Sequence, residues 1–377
     1  MYIGYYILFI IIIFLIIKFY IYKKYGFWYY QPVFHYYDLH YWLFSIGTIN
    51  KNLPIANKFC NFYNIKSINY SDVNDSLIDE IIDFIQKFYY NKNSCKYLPT
   101  KTKFSSYFES NNKKSIISLY KKNELQAVIT SRNVNITLNH KTIPAYYVDN
   151  LCVHNIYRKQ GIAPEIIQTH EYNQAHMNNS AQISLFKREG ELTGIVPLTS
   201  YFTKQYKLQQ DISFDKNINI VKINIDNIQL LINFIFENRN KYTCIILPDI
   251  SCLINLIKKE TYYVYGYLNK DKLMSCYFFK DSEMVYNDNN TEKKALDLFA
   301  SIHSIEIDKN IFINSLNNIL INFIKDYHYL TIEYIGDNIL FTDYFSNSKI
   351  TIVSPTAYFL YNYVTKPIIP NNCFIII

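Results

Sequence analysis

The spacing of apolar positions changes along this chain, and each spacing implies a different element. Ile3 to Ile17 is an uninterrupted apolar run (IGYYILFIIIIFLII), followed by Lys18, the stretch Phe19-Tyr20-Ile21-Tyr22, and Lys23-Lys24. Counted to Tyr22, it reaches the ~20 residues that a helix needs to span hydrocarbon, with Lys18 able to snorkel to the interface. The basic leader and small-residue cleavage site of a secretory signal are missing. All flanking lysines lie on the C-terminal side, so positive charge places the short N-terminus outside and the body in the cytoplasm. The expectation is a single-pass membrane anchor over residues 1–24.

Beyond the anchor the pattern is that of a folded α/β body. Leu77, Ile78, Ile81, Ile82, Ile85 and Phe88 recur at helical spacing, predicting a helix over 74–90 with Ser71, Asp72 and Asp75 near its start for capping. Ser115–Tyr120 and Leu125–Thr130 flank Lys121-Lys122-Asn123-Glu124 as a predicted hairpin, and strands are expected at Val134–Leu138 and Ile143–Val153. A second hairpin is predicted from Tyr262–Leu268 and Leu273–Lys280, with a helix over 311–324 and a strand at Leu330–Ile335 after it. The chain ends in an apolar strand, Cys373-Phe374-Ile375-Ile376-Ile377, which a solvated tail would rarely resemble.

The most informative stretch runs from Tyr147 to Pro164: a strand, then Arg158-Lys159-Gln160-Gly161-Ile162-Ala163, then a helix with Pro164 near its first position. Successive backbone N–H groups ahead of a helix N-terminus favour an anion. Gly161 lets the backbone approach that anion, and Arg158 and Lys159 add charge. A diphosphate is the natural ligand, and the strand–loop–helix context is that of the acetyltransferase (GNAT) fold.

Composition narrows the choice. A chain of 377 residues suits two domains or one large two-part fold. Half of it is hydrophobic and 18% is aromatic, enough for a core and an internal lipid pocket. The net charge of +7 suits a phosphate-bearing cofactor or an anionic membrane surface and falls short of a nucleic-acid signature. The seven cysteines form no CxxC pair and no zinc spacing, so they read as reduced thiols, and no metal site is expected. His170-Glu171 lacks the second His of a zinc-protease motif; His154 and His176 read as structural groups. No Walker loop, GxSxG or GxGxxG is present.

Three elements carry a family resemblance. Asn150-Leu151-Cys152-Val153-His154, then Arg158, then Ile162-Ala163-Pro164, resembles the N-myristoyltransferase segment NFLCVH…R…(V/L)AP. Gly26-Phe27-Trp28, then Gln31-Pro32-Val33, resembles that family's FW-x-x-QPV element, which covers the acyl-CoA. Tyr358-Phe359-Leu360-Tyr361-Asn362-Tyr363 resembles its YYLYNW run. The resemblance covers roughly Tyr25 to Ile377 and implies an α/β fold of two tandem GNAT-like halves with a mixed central sheet. Residues 25–205 would bind acyl-CoA and 206–377 the acceptor peptide.

The implied reaction moves a long acyl group, myristoyl, from CoA to the N-terminal glycine amine of a peptide or protein. By resemblance, the co-substrate contacts Gly26, Phe27, Trp28, Leu151, Cys152, Val153, Arg158, Lys159, Gly161, Ile162 and Ala163. The amides of Asn150 and Leu151 would form the oxyanion hole, and the carboxylate of Ile377 would be the base. Cys152 is expected as a pocket wall.

Three departures qualify this. The family has Phe where this chain has Asn150. It has Asn where this chain has Asp149, whose carboxylate is a candidate for holding the acceptor amine. Its Thr-Ala-Gly segment should fall near Ser184-Leu185-Phe186-Lys187-Arg188, where it is absent, and Lys187-Arg188-Glu189 is expected to be a solvated turn. Two alternatives therefore stand beside the first: a GNAT transferase with another acyl group or acceptor, and a catalytically silent membrane protein that binds lipid or assembles with others.

Overall fold

A computed structural model describes residues 2–44, 47–92, 94–110, 114–177, 182–190, 193–208, 214–288, 291–345 and 348–377. It opens with α1 (Tyr2–Lys24), α2 (Gly26–Tyr29), α3 (Leu39–Leu43), β1 (Gly47–Thr48), β2 (Ile65–Asn69), α4 (Asp75–Phe88), β3 (Asn91–Lys92), β4 (Cys95–Tyr97) and α5 (Lys101–Glu109). The first long-strand unit follows: β5 (Ile116–Lys121), β6 (Leu125–Leu138), β7 (Lys141–Val153), α6 (Ile162–Met177), β8 (Ser184–Glu189) and β9 (Thr199–Lys207). Then come β10 (Ile220–Ile223), α7 (Ile228–Asn238), β11 (Cys244–Leu247) and α8 (Ile250–Lys258). The second unit is β12 (Tyr263–Asn269), β13 (Lys272–Asp288), β14 (Thr291–His303), α9 (Lys309–Leu320) and β15 (Tyr329–Glu333). β16 (Ile350–Tyr361), β17 (Tyr363–Val364) and β18 (Cys373–Ile375) close the chain.

Sixteen of these strands form one mixed sheet whose main path is β10-β12-β13-β14-β15-β9-β16-β8-β7-β6-β11-β18. The two units repeat one plan. In each, antiparallel long strands lead through a helix to a parallel strand: β7 returns through α6 to β8, and β14 returns through α9 to β15. The acetyltransferase-like duplication expected from the two hairpins is therefore present in one continuous sheet.

The local reasons follow the sequence, with differences. Helix α4 buries Ile78, Ile81, Ile82 and Ile85 as its spacing requires, but Asn74 is the cap, its Oδ1 accepting from Leu77 N–H at 2.9 Å. Leu125–Thr130 and Val134–Leu138 are one strand rather than two. Ser131, Arg132 and Asn133 keep the ladder going by pairing with Val148, Tyr147 and Tyr146. Helix α6 starts at Ile162, so Pro164 sits at its third position, still among the first donors that lack intrahelical partners.

The last strand ends the main path of the sheet, parallel to β11, and Ile376 N–H donates to Ile246 O at 2.8 Å. Its two faces pack into two cores. Phe374 and Ile376 join Phe278 and Phe299, whereas Cys373, Ile375 and Ile377 join Val134, Tyr147 and Tyr358. Burial on both sides explains why the segment reads as an unbroken apolar run.

Candidate functional site

The site grows from a break between two neighbouring strands. β7 and β8 pair at Tyr146↔Ser184, Tyr147↔Leu185 and Val148↔Phe186, and there the ladder stops. β8 continues on β16 through Lys187↔Tyr358 and Glu189↔Thr356, so a wedge opens with Asp149 and Asn150 on one side and Lys187 on the other. On its other edge, β7 bulges: the register passes from Thr130↔Asp149 to Val128↔Cys152. Such bulges re-aim backbone groups beside active sites.

Asn150 has φ of +53°, the left-handed region that Asn adopts more readily than Phe. Its side chain donates to Thr130 Oγ1 at 3.0 Å, which locks the turn. Its N–H, one of the two expected oxyanion donors, is bound by the Asp149 carboxylate at 2.8 Å. Leu151 is exposed, and Cys152 is buried in a hydrophobic cluster, its thiol pushed up to about 12 by burial against the opposing effect of Arg158.

The loop from which phosphate binding is expected turns through left-handed backbone into a helix. Lys159 and Gly161 both have positive φ, +63° and +86°, and α6 begins at Ile162. The position a Gly161 side chain would occupy is open, leaving room for a ligand. Ile162 is buried and Ala163 half-buried, seating the helix start. Arg158 is differently employed: its guanidinium donates to Val153 O at 3.0 Å and to Phe88 O, tying the loop to α4. Lys159 is exposed beside the loop, and His154 is structural, its Nδ1 accepting from Ile156 N–H at 3.2 Å.

The other two motifs converge on the same wedge. Trp28 stacks on Phe186 with centroids 5.2 Å apart, and Phe186 stacks on Phe359 at 5.3 Å. Phe27 meets Phe59 edge-on, and Gly26 opens the short helix that carries both. Tyr361 O–H donates to Gln31 Oε1 at 3.0 Å, and Asn362 N–H to Pro32 O at 2.7 Å. Val33 shares a core with Ala357, Phe359 and Tyr361.

The sheet floor beyond the wedge is ionic. Lys187, Arg188 and Glu189 are not a solvated turn; they form the end of β8. Lys187 is largely shielded and reaches Glu189 at 2.7 Å and Glu333 at 3.0 Å. Burial opposes its charge, but Glu189 and Glu333 outweigh that and hold the ammonium well above the usual lysine range. Tyr201 O–H also donates to Glu333. The turn reading failed because a strand paired on its far edge can carry charges once the neighbouring strands supply counter-ions.

Other floor residues carried no motif. Buried Arg132 lies between the rings of Tyr107 and Tyr147, 4.4 and 4.7 Å from their centroids, with Asp149 at 3.7 Å. Lys280 faces Asp297 across β13 and β14 and sits 4.9 Å from the Phe299 ring. Burial lowers the Lys280 pKa and pushes Asp297 up to about 7, Lys280 opposing the latter. A lone charge inside an apolar strand, as at Arg132 and Asp297, was the available signal. At the far side, Ile376 and Ile377 are buried where β18 runs beside Val134 and Tyr147.

No family model matches the chain, and no curated protein does. Among solved structures, N-myristoyltransferase of Saccharomyces cerevisiae with bound myristoyl-CoA superposes with a TM-score of 0.78, at 14% identity, over 94% of this chain and 99% of that chain. A second structure of the yeast enzyme with bound myristoyl-CoA gives 0.77, at 15% identity, over 92% of this chain and 90% of that one. The likeness shows the fold: this chain is built as an N-myristoyltransferase is built.

Proposed function

We propose that the chain is a membrane-tethered N-acyltransferase that moves a long acyl group, myristoyl, from CoA to the N-terminal glycine amine of a peptide or protein. The observation that carries this is the convergence of three motifs, far apart in sequence, on the mouth of the β7/β8 wedge through the Trp28–Phe186–Phe359 stack. The fold of a protein solved with myristoyl-CoA supports the same reading.

The acyl-CoA diphosphate fits the loop Lys159–Gly161 and the start of α6, with the Phe27-Trp28 element folded over the donor. Burial of a long chain at ~0.8 kcal/mol per CH₂ gives a strong reason for an apolar pocket. The thioester carbonyl lies at the bulge, where the amides of Asn150 and Leu151 stabilise the oxyanion. Asp149 accepts from Asn150 N–H in the resting site, so it must release that amide, and its carboxylate is then free for the acceptor ammonium. The carboxylate of Ile377, brought inward by β18, takes the proton. Residues 25–205 form the donor half and 206–377 the acceptor half. α1 is long and apolar enough to cross a membrane over Gly4–Lys24, and lysines flanking its C-terminal end favour a body on the cytoplasmic side.

One observation favours a second reading, an acyl-CoA-binding module without transfer: Lys187 and the occupied Asn150 amide stand where an acceptor must enter. The deciding assay uses full-length protein in detergent, with myristoyl-CoA and glycine-starting peptides, beside a version extended by a few residues past Ile377. Turnover lost on extension supports the terminal-carboxylate mechanism. Tight myristoyl-CoA binding without turnover in either version favours the module, and no binding at all ends the acyl-CoA assignment.

A further inference from the structure

Helix α1 does not stand clear of the body along its whole length. The ring of Tyr37 lies 6.3 Å from that of Phe14, and Lys18 Nζ sits 5.7 Å over the same Tyr37 ring. Phe14 is one turn, about 6 Å, further along the apolar run than Lys18. The segment around Tyr37 therefore climbs beside α1 to the level at which that helix enters hydrocarbon.

Apart from the exposed His40, what this segment presents there is apolar and uncovered. Tyr36 is 51% exposed, Leu39 63%, Leu43 69% and Phe44 78%. Leu39 and Leu43 lie one turn apart on α3, so they share a face. The other side of α3 is held by the body: Tyr41 and Trp42 pack on buried Phe34 at 5.9 and 4.8 Å. The one acid of the segment is turned inward, Asp38 Oδ2 accepting from His35 N–H at 2.9 Å. Tyr and Trp beside an apolar face, with Lys18 at the same level, is the composition of a membrane–water interface.

We infer that residues 36–44 form a second membrane contact, a shelf that sinks Leu39, Leu43 and Phe44 into the leaflet holding the Lys18 end of α1. This rests on reading α1 as membrane-embedded. The occupant is lipid because the shelf is continuous with that helix and at its depth. The body is then fixed against the bilayer surface at two points and cannot swing on a single tether. Trp28, a few residues from α1, consequently holds the donor pocket near the lipid surface.

Trp42 reports on this directly, because the chain has only two tryptophans. Full-length Trp28→Phe protein is reconstituted into phosphatidylcholine/phosphatidylglycerol vesicles containing lipids brominated near or far from the headgroup. Resistance to alkaline extraction tests α1 in the same sample. The expected result is extraction-resistant protein whose Trp42 emission is quenched, more strongly by the shallow bromines. In full-length Trp28→Phe protein also carrying Leu39→Glu and Leu43→Glu, quenching should fall several-fold while extraction resistance stays. Resistant protein with unquenched Trp42 overturns the shelf and leaves the anchor standing, as does crosslinking showing a second copy over Leu43. Protein that is extracted refutes the anchor, and the shelf with it.

Discussion

Three residues show how much chemistry one position holds. Asn150 stands where the resembling family has Phe, and the structure explains the tolerance: its backbone is left-handed, which Asn adopts at low cost, and its amide bonds Thr130. Lys187 bridges Glu189 and Glu333 on the shielded floor. Lys187→Met should therefore destabilise by about 3–5 kcal/mol, because Glu333 is left as a buried charge without its cation. Thermal unfolding in detergent measures this, and Glu333→Gln in the same chain should recover much of the loss. Glu171 is pushed up to about 7 by burial, with the Ser184 hydroxyl bond opposing. A raised carboxylate keeps its proton in the native state while the unfolded chain releases it. Its contribution to stability is full below the ordinary glutamate pKa and is lost as pH rises through about 7. Glu171→Gln should thus gain in melting temperature over the parent at pH 8 and show little difference at pH 4.

At the scale of elements, the terminal strand is the part most dependent on fit. Gly336 has φ of +58°, and a Cβ there would lie 2.6 Å from Cys373 O, at the start of β18. Gly336→Ala should cost on the order of 1–3 kcal/mol from the left-handed backbone alone, and the clash adds to it by pushing β18 out of register. Acyl transfer should fall more than myristoyl-CoA binding does, since Ile377 moves while the Lys159–Gly161 loop does not. Calorimetry for binding beside the transfer assay separates the two. α6 and its loop show the opposite case. Their hydrogen bonds are local, so the strand–loop–helix pattern was visible in the sequence, whereas the tie from Arg158 to Phe88 crosses to another element and was not.

For the whole molecule, the two units share one sheet, and the N- and C-terminal motifs meet through Gln31–Tyr361 and Pro32–Asn362. Cys60 is the only one of the seven cysteines that is not buried. The proposed orientation puts the body in the cytoplasm, and on that proposal an impermeant maleimide applied to intact cells should leave Cys60 unlabelled until the membrane is opened. Labelling in intact cells reverses the assigned orientation.

The sequence by itself determined the elements whose signal is local: the apolar run of α1, the amphipathic face of α4, both hairpins, the glycine-bearing loop ahead of α6 and the buried terminal strand. These follow from spacing, turn residues and the backbone donors at a helix start, each set within a few residues. The family resemblance added the fold. Only the tertiary structure decided the fate of Lys187-Arg188-Glu189, the place of Arg132 between Tyr107 and Tyr147, and the facing of Lys280 and Asp297. The reason is physical. A charge is tolerated inside a protein when partners remote in sequence offset its desolvation, and their approach depends on strand order rather than on neighbouring residues.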